Sequence, residues 1–272
     1  MSLQQPAPQS SAPGVGVVSL LTDFGLADGY VGTMHGVLWA RSRRLRGVVD
    51  LTHAVPPQSV ELGSFHLAHA WRYFGAGTVH VAVVDPGVGS SRRILLARSA
   101  GHWFLAPDNG LLDGVLDQNP EVWSVDPDRV AVGPTSATFH GRDLFAPAAA
   151  RVVDGADPGE LGQPCGDWLR RDASPPRLEE LGWRGRVLSV DHFGNLISDV
   201  PARALDGDPG TWIARVGGHS YPIRRTYAEV APGSPIALVN SYGLVEVAIR
   251  DGNAAGQLGV QLGAPFDVLR GA

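Results

Sequence analysis

Continuous apolar runs in this chain stop abruptly at polar residues. The run at 15–21 gives way to Thr22-Asp23-Phe24-Gly25, and Val81-Ala82-Val83-Val84 gives way to Asp85-Pro86-Gly87-Val88-Gly89. Such runs suit strands buried on both faces, and ligands of open α/β sheets gather outside the carboxyl ends of those strands. Between the two runs, Val31, Met34, Leu38 and Leu45 recur at roughly helical spacing and predict a helix through about Arg46. A short strand at 48–52 is closed by His53 and Pro56-Pro57; Ser59 can then cap a helix with the stripe Val60, Ser64, Leu67, Trp71 and Phe74. Strands are predicted at 94–98 and 103–105, the second ending in Ala106-Pro107-Asp108-Asn109-Gly110 before a short helix from Leu111. Thr138 to Asp143 leads into a helix over 144–153, with Pro147 near its first turns. This alternation up to about residue 160 predicts an α/β domain over 15–165 built on a mainly parallel sheet.

The pattern then changes. The stretch 166–183, centred on Ser174-Pro175-Pro176, reads as a linker. From 184 to 270, short strands at 185–190, 196–200, 211–216, 235–239 and 244–249, divided by Gly and Asn turns, predict a smaller all-β barrel or sandwich domain. The opening 1–14 has neither a basic start nor an apolar core and reads as a disordered tail.

Bulk composition narrows the class. Net charge is −5, from 22 basic against 27 acidic residues, and the only basic cluster is RSRRLR at 41–46, so neither nucleic acid nor a membrane surface is favoured as partner. No apolar run reaches membrane-spanning length. The single cysteine, Cys165, excludes an intrachain disulfide or a cysteine metal cluster and fits a reducing cytoplasm.

At the second strand end, Gly87 and Gly89 let the backbone turn sharply, and Arg92 and Arg93 can fold back onto the Asp85 carboxylate. By itself the stretch reads equally as a structural turn with a solvated ion pair. His66 and His69, three apart on a helix, can bind a metal, although no third ligand lies nearby and packing explains them better. His140, between an aromatic and a glycine at a helix start, is alone more typical of a structural histidine. DHFGN at 191–195 and NSYG at 240–243 are each compatible with plain turn chemistry.

Taken in order, TDFG at 22–25, DPGVG at 85–89 with Arg92, APDNG at 106–110, TFHGRD at 138–143, DHFGN at 191–195, NSYG at 240–243 and GNAA at 252–255 resemble the S-adenosylmethionine hydroxide adenosyltransferases. These are relatives of the fluorinating and chlorinating adenosyl enzymes. The resemblance implies an N-terminal α/β domain, a C-terminal β-barrel and hydrolysis of S-adenosylmethionine to adenosine and L-methionine, by attack of water or hydroxide on the ribose 5′ carbon. It also implies a homotrimer with sites shared between subunits, and no cofactor, since S-adenosylmethionine is the substrate. Its catalytic set falls on Asp85, Arg92 and His140, its ribose-binding acid on Asp23 and its nucleoside-lining aromatic on Phe139. Asn195 and the backbone around Asn253 and Ala254 correspond to the adenine readers; Asp191 and Ser241 match the holders of the methionine amino and carboxylate groups, and Tyr242 stands where some halogenating relatives carry arginine. Those relatives also carry tyrosine where Asp85 stands and lack the histidine. Arg93 is left as a surface or packing residue. Three other readings remain open: a halide adenosyltransferase, a metal-dependent nucleoside hydrolase with calcium on Asp23 and Asp28, and a non-catalytic S-adenosylmethionine or adenosine sensor.

Overall fold

A computed structural model describes residues 16–116, 119–171 and 174–271, and the tail expected over 1–14 lies outside the described residues. The chain divides into two compact units after Arg171.

The first unit is an α/β layer. In chain order it holds β1 (Val17–Thr22), α1 (Tyr30–Arg41), β2 (Gly47–Thr52), α2 (Val60–Ala70), β3 (Val79–Val83), β4 (Ile94–Ser99), β5 (His102–Pro107), β6 (Glu121–Val125), a single helical turn α3 (Pro127–Val130), α4 (Ala146–Val153), a second such turn α5 (Pro158–Leu161) and β7 (Gly162–Pro164). The strands lie in the order β2-β1-β3-β5-β4-β6-β7. The first four run parallel, while β5·β4, β4·β6 and β6·β7 are antiparallel, so the sheet is mixed. Side chains of a strand alternate between faces, and here both faces are covered. Val18 and Leu20 of β1 with Val79, Val81 and Val83 of β3 pack with Met34, Leu38, Leu144 and Phe145. Leu21, Ala82 and Val84 pack on the other side with Leu62, Leu67 and Phe104. Burying each such side chain contributes about 1.5–3 kcal/mol, which makes this parallel half a stiff base for the loops at its carboxyl edge.

Two helices differ from expectation for identifiable reasons. The α1 helix stops at Arg41 rather than near Arg46, because the next residues turn to Asp154 instead of continuing the helix. Ser42 Oγ donates to Asp154 Oδ1 at 2.6 Å, and the Arg43 and Arg44 amides do so at 3.0 Å each. Before α4, residues Gly141–Phe145 form a π turn, with the Ala146 amide reaching back to the Gly141 carbonyl. Pro147 has no N–H to donate, so a regular i to i−4 ladder could not run unbroken across this junction. Ser59 stands before α2 as expected, yet its side chain makes no cap hydrogen bond.

The second unit is a closed barrel. It contains β8 (Arg177–Glu179), β9 (Gly182–Val190), β10 (Leu196–Pro201), β11 (Trp212–Val216), β12 (His219–Arg224), β13 (Pro235–Val239), β14 (Leu244–Ile249), α6 (Ala254–Leu258) and β15 (Pro265–Arg270). The order β9-β10-β14-β13-β12-β11-β15 returns to β9, closing seven strands, and β8 flanks β9. Only β12·β13 is parallel among these pairings. Trp212, Phe266, Val187, Val245 and Val247 fill the interior. Thus β8 and the start of β9 occupy the end of the stretch expected to be linker.

Candidate functional site

Four parallel strands end side by side in the first unit. Register pairs Thr52 with Leu21, Thr22 with Val83 and Val81 with Leu105, so His53, Asp23, Asp85 and Asp108 leave neighbouring carboxyl ends. Asn109 Nδ2 donates to the Val84 carbonyl at 2.8 Å and fixes the point from which Asp85 departs.

Arg92 joins two of the expected residues. Its Nε donates to both Asp85 oxygens, at 3.0 and 2.9 Å, and its Nη2 also bonds Asp85 Oδ2. The same Nη2 lies 2.8 Å from His140 Nδ1. The Arg92 and Asp85 side chains are only 11% and 6% exposed, so water screens this pair little. A guanidinium has donors and no acceptor, so Nδ1 must offer its lone pair and a neutral His140 carries its proton on Nε2. Burial, and then the Arg92 charge, push the His140 pKa below its ordinary value, against opposing pulls from Asp85 and Asp143. At neutral pH His140 is therefore uncharged, with an N–H to donate.

The loops carrying these groups are tied together locally. Gly89 has φ +78°, and a Cβ there would sit 2.5 Å from the Ala137 carbonyl, so only glycine lets the 85–92 loop lie against 136–140. Asp143 Oδ2 accepts from the Ser136 amide at 2.8 Å and closes the other end of that loop. His140 then opens the π turn, a feature often found at functional sites. Arg92 also lies 5.5 Å over the Phe145 ring.

Asp23 is partly exposed, and its Oδ2 accepts from the Gln58 amide at 2.8 Å. Phe139 meets two aromatics that were given no site role in the sequence expectations, Tyr30 at 4.9 Å and Phe24 at 6.0 Å between ring centroids. A further residue to which sequence reasoning gave no site role is His53, which closes β2 and is buried against Thr22 of the neighbouring strand. Arg93, next to Arg92, turns elsewhere: it bonds Asp108 Oδ2 at 2.7 Å and Asp167 Oδ1 at 2.7 Å, a structural latch on the 165–169 segment. His66 and His69 pack against the Phe65 ring, and among the described residues no group of three or more side chains is arranged to hold a metal.

In the second unit, two sequence motifs meet. The Asp191 carboxylate accepts from the Phe193 and Asn195 amides and from Asn195 Nδ2, each at 2.9 Å, which shapes the 191–195 loop. Gly194, at φ +84°, lies so close to Asn253 that a Cβ would fall 2.3 Å from its carboxamide. The Ala255 amide donates to the Gly194 carbonyl, and Asn253 Oδ1 caps α6 through Gly256 N. Asn253 Oδ1 is thus committed to the helix cap, while Ala254 is fully buried and can offer a ligand only backbone. Ser241 and Tyr242 are exposed on a turn held by Asn240 Oδ1, which accepts from the Tyr242 and Leu244 amides.

Comparison with known proteins agrees on both units. Residues 18–162 match the SAM hydroxide adenosyltransferase N-terminal domain and 185–267 the C-terminal domain. The chain is 41% identical to the (R)-S-adenosyl-L-methionine hydrolase of Thermus thermophilus, over 93% of this chain and 99% of that protein. A fluorinase of Actinopolyspora mzabensis is more distant, at 25% identity over 85% of this chain and 90% of its own. A crystal structure of an uncharacterized conserved protein from Thermotoga maritima superposes with a TM-score of 0.85 and 30% identity, covering 93% of this chain and all of that one.

Proposed function

The chain belongs to the SAM hydroxide adenosyltransferase family, and we propose that Asp85, Arg92 and His140 are the residues with which it hydrolyses (R)-S-adenosyl-L-methionine to adenosine and L-methionine. The observation that carries this assignment is one guanidinium bonded to both the acid and the imidazole at a strand carboxyl end. The sulfonium is already a good leaving group and departs as a neutral thioether, so no general acid is required. What remains is to place one water in line with the C5′–S bond and receive its proton.

The tautomer divides the labour. With Nδ1 engaged by Arg92, His140 has no free lone pair, and its Nε2–H holds the water oxygen as a donor. Asp85 is then the acceptor. As the C5′–O bond forms and C5′–S breaks, the attacking oxygen gains positive charge, its proton becomes strongly acidic, and a carboxylate suffices to take it before passing it to solvent. Arg92 keeps acid and imidazole in fixed relation. A carboxylate facing the nucleophile also disfavours an incoming halide, consistent with the greater distance from the fluorinase.

The remaining assignments follow the same reading: Asp23 takes the ribose hydroxyls, Phe139 the nucleoside face, Asn195 and the backbone at Asn253 and Ala254 the adenine, and Asp191, Ser241 and Tyr242 the methionine moiety. The resemblance makes the assembly a homotrimer, and the single cysteine fits a reducing cytoplasm. To test the mechanism, Asp85→Ala, Arg92→Ala and His140→Ala are assayed for adenosine release and for substrate affinity. Each is expected to lower kcat by about 10²–10⁴-fold with little change in binding. Full turnover in Asp85→Ala would remove the proposed base.

A further inference from the structure

The turn after β2 carries three contacts that converge on residues 22–25. Thr22 Oγ1 accepts from the Phe24 amide at 3.1 Å and lies 2.8 Å from His53 Nδ1. The His53 carbonyl accepts from the Gly25 amide at 2.8 Å. Gln58, held at φ +65°, points its amide at Asp23 Oδ2, 2.8 Å away. A residue other than glycine in that left-handed conformation stores strain, which persists only where the surroundings impose it. Asp23 is thus bracketed by Thr22 before it and by Phe24 and Gly25 after it, all tied to one turn.

His53 is 4% exposed and Thr22 fully buried. A ring with two polar ends is costly to bury unless those ends find partners. Because Thr22 Oγ1 already accepts from Phe24, its hydroxyl proton is free to go to His53 Nδ1. His53 Nε2 faces Asp50 Oδ1 at 3.1 Å, an ion-pair distance without good hydrogen-bond geometry, and His35 Nε2 reaches the same oxygen at 2.8 Å. Burial alone would push the Asp50 carboxyl up, but the adjoining His53 and His35 side chains outweigh it and hold the acid below its ordinary value. The ring is hydrogen-bonded to Thr22 at one end and faces the Asp50 carboxylate within ion-pair distance at the other.

We infer that His53, acting through Thr22, is a positioning residue that fixes the Asp23 carboxylate for the two ribose hydroxyls of the nucleoside. The inference rests on Asp23 being the ribose acceptor. Gln58 occupies one lone pair of Oδ2, leaving the other and all of Oδ1 for a vicinal diol. Recognition by two parallel hydrogen bonds tolerates only about 0.5 Å of displacement, so a carboxylate on an unanchored loop would lose it. Since ribose contacts are made equally in ground and transition states, the loss falls on KM rather than kcat.

The test measures adenosine affinity by calorimetry, together with KM and kcat for S-adenosyl-L-methionine, in His53→Ala, His53→Asn, Thr22→Val, Thr22→Ser and Asp23→Asn. His53→Ala and Thr22→Val are expected to raise the adenosine Kd and the KM about tenfold with kcat within about twofold. His53→Asn, whose carboxamide oxygen can accept from Thr22, and Thr22→Ser are expected to restore most of the loss. Unchanged adenosine affinity in His53→Ala and Thr22→Val, or no rescue by His53→Asn and Thr22→Ser, overturns the inference. Should His53→Ala fail to fold, the Thr22→Val and Thr22→Ser pair, close in shape to the parent, decides alone. If Asp23→Asn weakens adenosine while the His53 and Thr22 variants do not, only the positioning role falls; if Asp23→Asn also binds normally, the ribose reading falls with it.

Discussion

Arg92 and Arg93 are adjacent and chemically identical, yet one bonds both Asp85 and His140 and the other latches Asp108 and Asp167. For His140 the consequence is a pH dependence. Its folded pKa lies below the ordinary 6.5, and the form proposed to act is the neutral one that accepts from Arg92. Activity is therefore complete at and above that value and is lost as pH falls through the lowered pKa, where an added proton on Nδ1 would face the guanidinium. A kcat/KM profile is expected to show its acid limb below pH 6.5; a limb above it would contradict the assigned tautomer. At this scale the grouping of Asp85, Arg92 and His140 came from the resemblance of their motifs, since each alone reads as turn or structural chemistry, and the structure brings the three into contact. The His53 and Thr22 pair was not legible, because a histidine after a strand announces no partner until the parallel register brings Thr52 beside Leu21.

Elements decide whether those residues meet. Strands β1 and β3 were readable from continuous apolar runs, since burial on both faces leaves little room for polar residues. The end of α1 was not, because Asp154, more than a hundred positions away, supplies the acceptor that ends it. The π turn before α4 was equally hidden: Pro147 marks an irregularity without specifying its form. The close approach at Gly89 gives the element-level test. Gly89→Ala places a methyl against the Ala137 carbonyl and also strains a positive φ. We expect a loss of stability of about 1–3 kcal/mol by denaturant titration, and a larger proportional fall in kcat as Asp85 and Arg92 are displaced from His140. Wild-type kcat in this variant would show that the loops need no such contact.

For the whole molecule, the division into an α/β part and a β part was visible in the change of periodicity, while the strand pattern alone left barrel and sandwich open and the resemblance supplied the barrel. β12 contains Pro222 and shows only partial alternation, and β15 follows a helix and a glycine turn, so neither stood out among the predicted strands. The first sheet also hides a stability determinant. His80 lies in its core, bonded to Ser19 at 2.6 Å and 3.1 Å from His102, with burial and then the His102 charge holding its pKa near 3. His66, His69 and His102 are shifted the same way, in each case chiefly by burial. An unfolded chain takes up these protons near pH 6.5 and the folded one does not, so stability falls as pH drops from about 6.5 towards 3 and the His80 contribution is flat below that. Thermal unfolding is expected to show a lower Tm at pH 4 than at pH 7, with a smaller difference in His80→Gln; equal Tm values would contradict the buried neutral state.

The two sheets also differ in what they expose to other molecules. The barrel closes on itself, whereas the first sheet ends at β2, where Val48, Val49 and Leu51 would form an unbroken apolar ribbon but for Asp50. An open, uncharged edge of that kind is a template on which a foreign or misfolded strand can add. The carboxylate that braces His53 is held ionised by two histidines and 39% exposed at the middle of this edge. It therefore also sets a charge on this edge, which opposes the addition of a further strand.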